Sequence, residues 1–138
     1  MRAVLDTVVF VRALIKPSNA CGRAIFLNGK KFQLVISKEI VVEILEVLRR
    51  PEISKKFSRA VDLDFQRILD LLSAAYAVEI EDIGKVSRDI KDDKFLATAI
   101  AANADYLVSE DEDLLVLKEY KGIKIVTCRQ FADILESS

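Results

Sequence analysis

Apolar residues in this chain fall into short dense runs, separated by stretches where they recur every three or four positions. RAVLDTVVF (2–10), FQLVISK (32–38), AVEIE (77–81), DYLVSE (105–110) and IKIVT (123–127) are compact and rich in β-branched residues, which predicts strands. Helical spacing marks SNACGRAIFLNGKK (18–31), KEIVVEILEVLRR (38–50), PEISKKFSRA (51–60), LDFQRILDLLSAA (63–75), DDKFLATAIAANA (92–104) and CRQFADILESS (128–138). Ser18 or Asn19 caps the first of these and Gly29 stops it, while Pro51 ends the second. DEDLLVLKEY (111–120) predicts a helical turn or two, and a loop passes through Gly84. Strand and helix alternate throughout, which predicts an α/β fold of three layers, with a mainly parallel central sheet covered on both faces. One domain over residues 1–138 is expected.

Composition narrows the chemistry. Half the residues, 51%, are apolar, so there is material for one substantial core. No uncharged apolar run is long enough to span a bilayer, and a cytoplasmic protein without a membrane partner is expected. Cys21 and Cys128 lie far apart in sequence and form no CxxC pair, which argues against a structural zinc site and gives no disulfide framework; they could be neighbours in space, but inert, partly buried thiols are the expectation. The chain has no histidine, so imidazole bases and the common His-ligated zinc sites are excluded. Carboxylates, Lys, Arg, hydroxyls or a hard cation held by oxygen must do any chemistry. A formal charge of −1 excludes nucleic-acid binding by bulk positive charge.

One carboxylate, Asp6, interrupts the first apolar run, and a buried carboxylate needs a proton or a partner. In open α/β sheets, ligands bind beyond the carboxyl ends of the strands, which singles out Asp6 and Asp111. Asp92 and Asp93 open a helix that is apolar nearly all round. Capping explains one of them, leaving the other beside the strand ends. Glu43 lies roughly 40° beyond Val47, at the margin of the face formed by Ile40, Val41, Ile44, Leu45, Val47 and Leu48, so it can reach inward where Glu39 and Glu46 cannot. Asp113, with Glu110 and Glu112, also suits a helix start, where negative charge complements the dipole.

These residues together resemble the PIN-domain family of metal-dependent ribonucleases, and most closely its prokaryotic toxin components of toxin–antitoxin pairs. The resemblance rests on VLDT, the glutamate within SKEIVVEILEVLRRPEI, the long block DDKFLATAIAANADYLVSEDEDLL, and IKIVTCRQFADIL. It implies that Asp6, Glu43, Asp93 and Asp111 form the acidic site, with Asp113 as a possible fifth member and Asp92 as a cap or an outer partner of the site. It implies Mg²⁺ or Mn²⁺ as cofactor, RNA as substrate, a small antitoxin protein as partner, and a homodimer. The family usually has Asn two residues after its first Asp, whereas this chain has Val8. Ser109 stands where Thr is frequent, and keeps the hydroxyl. Loss of such an outer partner often weakens metal binding or activity 10–100-fold, so a catalytically weakened scaffold that binds RNA or an antitoxin is the alternative.

A receiver-like domain would need an acidic pair near strand 1 and a Lys after the last strand, and a haloacid-dehalogenase-type phosphatase would need DxD. VLDT and IVTC supply neither. Substrate contact is expected from Arg49, Arg50, Lys55, Lys56 and Arg59 around Phe57, since cations beside an aromatic bind phosphate and stack a base; a solvated helical face is the competing account. Lys91 and Lys94 flank the acidic pair and either steer a phosphate or balance charge.

Overall fold

A computed structural model describes residues 1–54 and 62–137. Its framework is a sheet of strands β1 (Arg2–Leu5), β2 (Gln33–Ile36), β3 (Tyr76–Ala77), β4 (Tyr106–Val108), β5 (Glu119–Tyr120) and β6 (Ile123–Val126), in the order β3-β2-β1-β4-β6-β5. All neighbours are parallel except β5 and β6. That hairpin turns through Lys121 (φ 49°) and Gly122 (φ 84°), the positive-φ pair a two-residue connection demands.

Eight α-helices are described: α1 (Thr7–Ile15), α2 (Ala20–Gly22, continued by a π-helical turn Arg23–Leu27), α3 (Lys38–Leu48), α4 (Pro51–Ser54), α5 (Asp62–Ser73), α6 (Asp93–Ala102), α7 (Glu112–Leu115) and α8 (Cys128–Glu136). The α6 helix lies across β1, β2 and β4, and the α2 segment packs on α8. Alanines 97, 99 and 102 let α6 sit close to the sheet. Leu5, Phe10, Ile40, Ile44, Leu96, Leu107, Leu114 and Phe131 fill the core at under 2% exposure. Among the described residues, no helix is long and apolar enough to cross a membrane.

The mainly parallel α/β architecture agrees with the hydrophobic pattern, but four expectations need correction. The strand expected over 77–81 is confined to Tyr76–Ala77, and the helical turns expected over 111–120 end at Leu115, with Glu119–Tyr120 forming β5. The run RAVLDTVVF is not one strand. It breaks after Leu5, and Thr7 begins a helix. Thr7, Val9, Phe10, Ala13 and Leu14 are buried while Val8, Arg12 and Ile15 face out, a 3.6-residue period that tertiary packing imposes on β-branched residues. The cysteines are not free thiols either. Cys21 and Cys128 are joined in a disulfide, with Cα atoms 5.0 Å apart, because α2 and α8 pack together. Gly22 lets the link from α1 close tightly onto α2, since a Cβ there would lie 1.9 Å from the Pro17 carbonyl oxygen.

Candidate metal centre

Strand order reverses at β1, which has β2 on one side and β4 on the other. The crevice past the carboxyl ends of β1 and β4 is therefore the switch point of the sheet. Asp6 directly follows β1, and its backbone N–H donates to the Val108 carbonyl at 3.0 Å. Ser109 directly follows β4, and its N–H donates to Val126 at 2.9 Å. Three helix starts meet these strand ends: α1 is capped by Asp6, α7 is capped by Asp111, and α6 is entered through the 3₁₀ turn Ile90–Asp92.

Each acidic side chain in the crevice is held differently. Asp6 is 3% exposed; its Oδ1 accepts the Val9 N–H at 3.2 Å and its Oδ2 accepts the Ser109 hydroxyl. Ser109 Oγ also accepts the Asp111 N–H at 2.9 Å, so one hydroxyl links the two acids. Asp111 Oδ1 accepts the Asp113 N–H at 2.9 Å. Asp92 makes no capping hydrogen bond, and its Oδ2 is buried without a hydrogen-bond partner among the described residues. Ligand oxygens of Asp89, Asp92 and Asp113 all lie within 4.8 Å of one another.

The electrostatics follow from this crowding. Burial pushes the Asp6 carboxyl up to about 6; its hydrogen bonds oppose the rise and Asp111 adds to it. Asp92 is pushed up to about 7, first by burial, then by the charge of Asp111 and a side-chain hydrogen bond shared with it, and further by Asp89 and Asp6. Asp6, Asp92 and Asp111 are thus one mutually repelling group.

The remaining residues singled out in the sequence lie around this group. Asp93 turns away from it: its Oδ1 accepts the Ser87 N–H at 2.8 Å and its Oδ2 the Val86 N–H at 3.0 Å. Of the adjacent pair, it is Asp92 that faces the other acids. Glu43 does reach inward from α3, yet both its oxygens are engaged. Thr7 Oγ1 donates to Oε2, and Lys94 Nζ lies 2.6 Å from Oε1. Asp113 is ion-paired with Arg88 at 2.9 Å. Glu110 points to α8, accepting the Cys128 N–H at 3.1 Å. Val8 is 43% exposed and has no polar group to offer. Asp89 was not foreseen; the i, i+3 spacing of Asp89 and Asp92 in SRDIKDD is its only trace in the sequence. Of the basic cluster, Arg49 and Arg50 are exposed, while Lys55, Lys56, Phe57 and Arg59 lie outside the described residues.

The donor set fits a hard divalent cation. All its ligand atoms are carboxylate oxygens, and Asp92 Oδ2 is a buried acceptor with nothing to accept. Fold and site together define an α/β protein with an acidic centre at the switch point of its sheet. The PIN-domain family model matches residues 2–113, and the chain belongs to that family. It is 30% identical over 131 residues to the uncharacterised protein MJ1680 of Methanocaldococcus jannaschii, covering 91% of this chain and 81% of that protein. Two solved structures share the fold. One is VapBC2 from Rickettsia felis bound to a DNA fragment from its promoter, with a TM-score of 0.58, 17% identity, and coverage of 92% of this chain and 98% of that one. The other is PAE2754 from Pyrobaculum aerophilum, with a TM-score of 0.62, 16% identity, and coverage of 100% and 91%.

Proposed function

We propose that this protein is a metal-dependent endoribonuclease, using Mg²⁺ or Mn²⁺, that hydrolyses RNA phosphodiester bonds as the toxin of a toxin–antitoxin pair. The observation that carries the reading is the buried, unpartnered oxygen of Asp92, set against Asp111 and Asp6 at the switch point. Asp92 would hold the ion together with Asp89 and Asp113, whose ligand oxygens lie within 4.8 Å of its own, and Asp6 and Asp111 border the same crevice. Glu43 and Asp93, also expected as ligands from the sequence, take supporting roles: Glu43 through Thr7 and Lys94, and Asp93 by anchoring the 86–87 backbone. When bound there, a divalent ion would supply Lewis acidity for phosphodiester hydrolysis.

The chain's own residues do the positioning. The Ser109 hydroxyl and the Val9 N–H fix the two Asp6 oxygens, so the acid cannot rotate away from the crevice. Ser109 ties Asp111 to the same point. Family membership supports nuclease chemistry, and the fold shared with VapBC2 supports a small antitoxin partner; a homodimer and a cytoplasmic site of action belong to the same reading.

Purified protein should cleave single-stranded RNA with Mg²⁺ or Mn²⁺ and not with a chelator. Asp92→Asn should lower the rate at least about 100-fold with the circular dichroism unchanged, since outer-shell partners alone are worth roughly 10–100-fold. Val8 favours a second reading, a weakened scaffold that binds RNA or antitoxin, because the usual amide is missing beside Asp6. Silence of the wild-type protein, with cleavage appearing in Val8→Asn, would establish that reading instead.

A further inference from the structure

Among the described residues, one group of metal-ligating side chains comes together away from the crevice. The Sγ atoms of Cys21 and Cys128 and a carboxylate oxygen of Glu110 all lie within 4.8 Å of one another. Glu110 Oε1 lies 3.8 Å from Cys21 Sγ and accepts the Cys128 N–H at 3.1 Å. Cys21 comes from α2, Cys128 is the first residue of α8, and Glu110 belongs to the link between β4 and α7. Both sulfurs are buried, and Glu110 is the partly exposed member. The bond between the sulfurs is not all that holds them together. Arg23 Nη2 lies 2.8 Å from Asp133, and Asn28 Nδ2 donates to Glu136 at 3.0 Å, so side chains also tie the α2 segment to α8. These ties keep the cysteines opposed when the disulfide is opened.

A disulfide has no thiolate to offer a metal, but in a reducing compartment an opposed pair of this kind is held as two thiols. Two sulfurs and one carboxylate oxygen make a donor set unlike the all-oxygen crevice: thiolates select Zn²⁺, where carboxylates alone suit Mg²⁺ or Mn²⁺. Helix α8 also turns the positive end of its dipole toward an anionic sulfur on Cys128. We propose that, once the Cys21–Cys128 bond is reduced, Cys21, Cys128 and Glu110 form a Zn²⁺ site separate from the crevice. Reduction delivers two electrons and two protons to the disulfide; a phosphine supplies the electrons and leaves as its oxide, with the oxygen taken from water. Each thiol then gives up its proton as its sulfur binds the ion, and the Glu110 carboxylate is the third ligand. Zinc–sulfur bonds of about 2.3 Å at a tetrahedral angle set the sulfurs about 3.8 Å apart. Cysteines whose Cα atoms lie 5.0 Å apart reach that separation by turning about their own Cα–Cβ bonds. The seam is then clamped covalently when oxidised and by a metal when reduced.

Co²⁺ reads this site apart from the crevice, because sulfur ligands give it an intense near-ultraviolet charge-transfer band that carboxylates do not. Phosphine-reduced protein, with both thiols confirmed by titration, should develop that band to an end point of one Co²⁺ per chain, and Zn²⁺ should bleach it. Oxidised wild type and Cys21→Ser/Cys128→Ser should show no band, and the oxidised control needs no variant to fold. Glu110→Gln keeps an oxygen for the Cys128 N–H; it should retain the band but weaken Co²⁺ binding at least about 10-fold, since outer partners alone are worth roughly 10–100-fold. Zn²⁺ should also raise the unfolding temperature of the reduced protein more than that of the oxidised one. No band in the reduced protein, a band that survives the double variant, an unchanged affinity in Glu110→Gln, or a disulfide that phosphine leaves closed would overturn the proposal. Mn²⁺ uptake at the crevice is measured separately, so the reading of that centre stands or falls on its own.

Discussion

Acidic side chains collect in two regions of this molecule, and the fold provides for them in opposite ways. At the seam between α2 and α8, every acid has a donor. Arg23 Nη2 lies 2.8 Å from Asp133, Arg23 Nε lies 3.2 Å from Glu136, Asn28 donates to Glu136 at 3.0 Å, and Glu110 accepts the Cys128 N–H. In the crevice, Asp6 and Asp92 are pushed upward and an Asp92 oxygen has nothing to accept. The seam acids are answered by the chain and contribute to folding. The crevice acids, once ionised, oppose folding, and on the proposed metal-centre reading a bound cation would relieve that repulsion. Both regions border the same segment: Glu110 serves the seam and Asp111 the crevice, because the β4–α7 link turns successive side chains to opposite sides.

The seam can be broken most severely at its covalent bond. The Cys21–Cys128 link spans 107 residues of sequence, and constraining a loop of about 100 residues is worth up to about 4.7 kcal/mol in the chain-entropy account. Urea unfolding of Cys21→Ser/Cys128→Ser, or of wild type with and without a reductant, should register a loss of that order. Mn²⁺ affinity of the folded protein should stay within a factor of about three, the usual context scatter of such measurements. A stability loss below about 1 kcal/mol, or a collapse of Mn²⁺ affinity in the folded variant, would erase the distinction between the two regions.

The adjacent aspartates sharpen it at single-residue scale. Asp93→Asn leaves one acceptor for two N–H groups, the buried one of Ser87 and the partly buried one of Val86. An unsatisfied buried donor costs about 1–3 kcal/mol, so this variant should be destabilised by that much in chelator. Asp92→Asn removes a repelled charge that caps nothing, and should unfold no earlier than wild type at pH 7. Reversed outcomes in thermal denaturation would mean that Asp93, and not Asp92, belongs to the repelling group.

Why the sequence revealed one layer and hid the other follows from the same residues. Strands β2, β4 and β6 and helices α3, α6 and α8 were legible because each is a short apolar run or a stretch of helical spacing, but their ends were not: Ser37 and Thr127, read as strand residues, cap α3 and α8, and Asn103, read as helical, ends α6 in the left-handed conformation. The start of α1 was hidden because Val8, Val9 and Val11 favour a strand locally, and only packing reveals the helical period. The crevice was legible as a set of strand-end acids, since Asp6 and Asp111 must sit where β1 and β4 finish. Which of Asp92 and Asp93 faces inward depends on the single 3₁₀ turn at Ile90–Asp92, whose backbone angles no residue pattern specifies. The cysteine pairing was equally unreadable, because spacing in sequence carries no record of α2 meeting α8.

The gentlest probe of the comparison is pH, applied to metal-free protein. An ordinary aspartate releases its proton near 3.8, whereas folded Asp6 and Asp92 hold theirs to about 6 and about 7. Across that interval these two groups hold more protons in the folded chain than in the unfolded chain, so their contribution to stability is full below about pH 4 and declines as pH rises toward 7. The limiting slope is about 1.4 kcal/mol per pH unit for each group, and solvent around the half-exposed Asp92 reduces its share. Thermal unfolding in chelator should therefore fall by several degrees between pH 5 and pH 7.5. Saturating Mn²⁺ should remove the decline, because an ion that binds only the folded state stabilises it more as the competing protons leave. Asp6→Asn should flatten the metal-free profile, while Asp133→Asn at the seam should leave its shape intact. A metal-free protein whose stability instead rises from pH 5 to pH 7.5 would show that the crevice acids are answered by the chain after all.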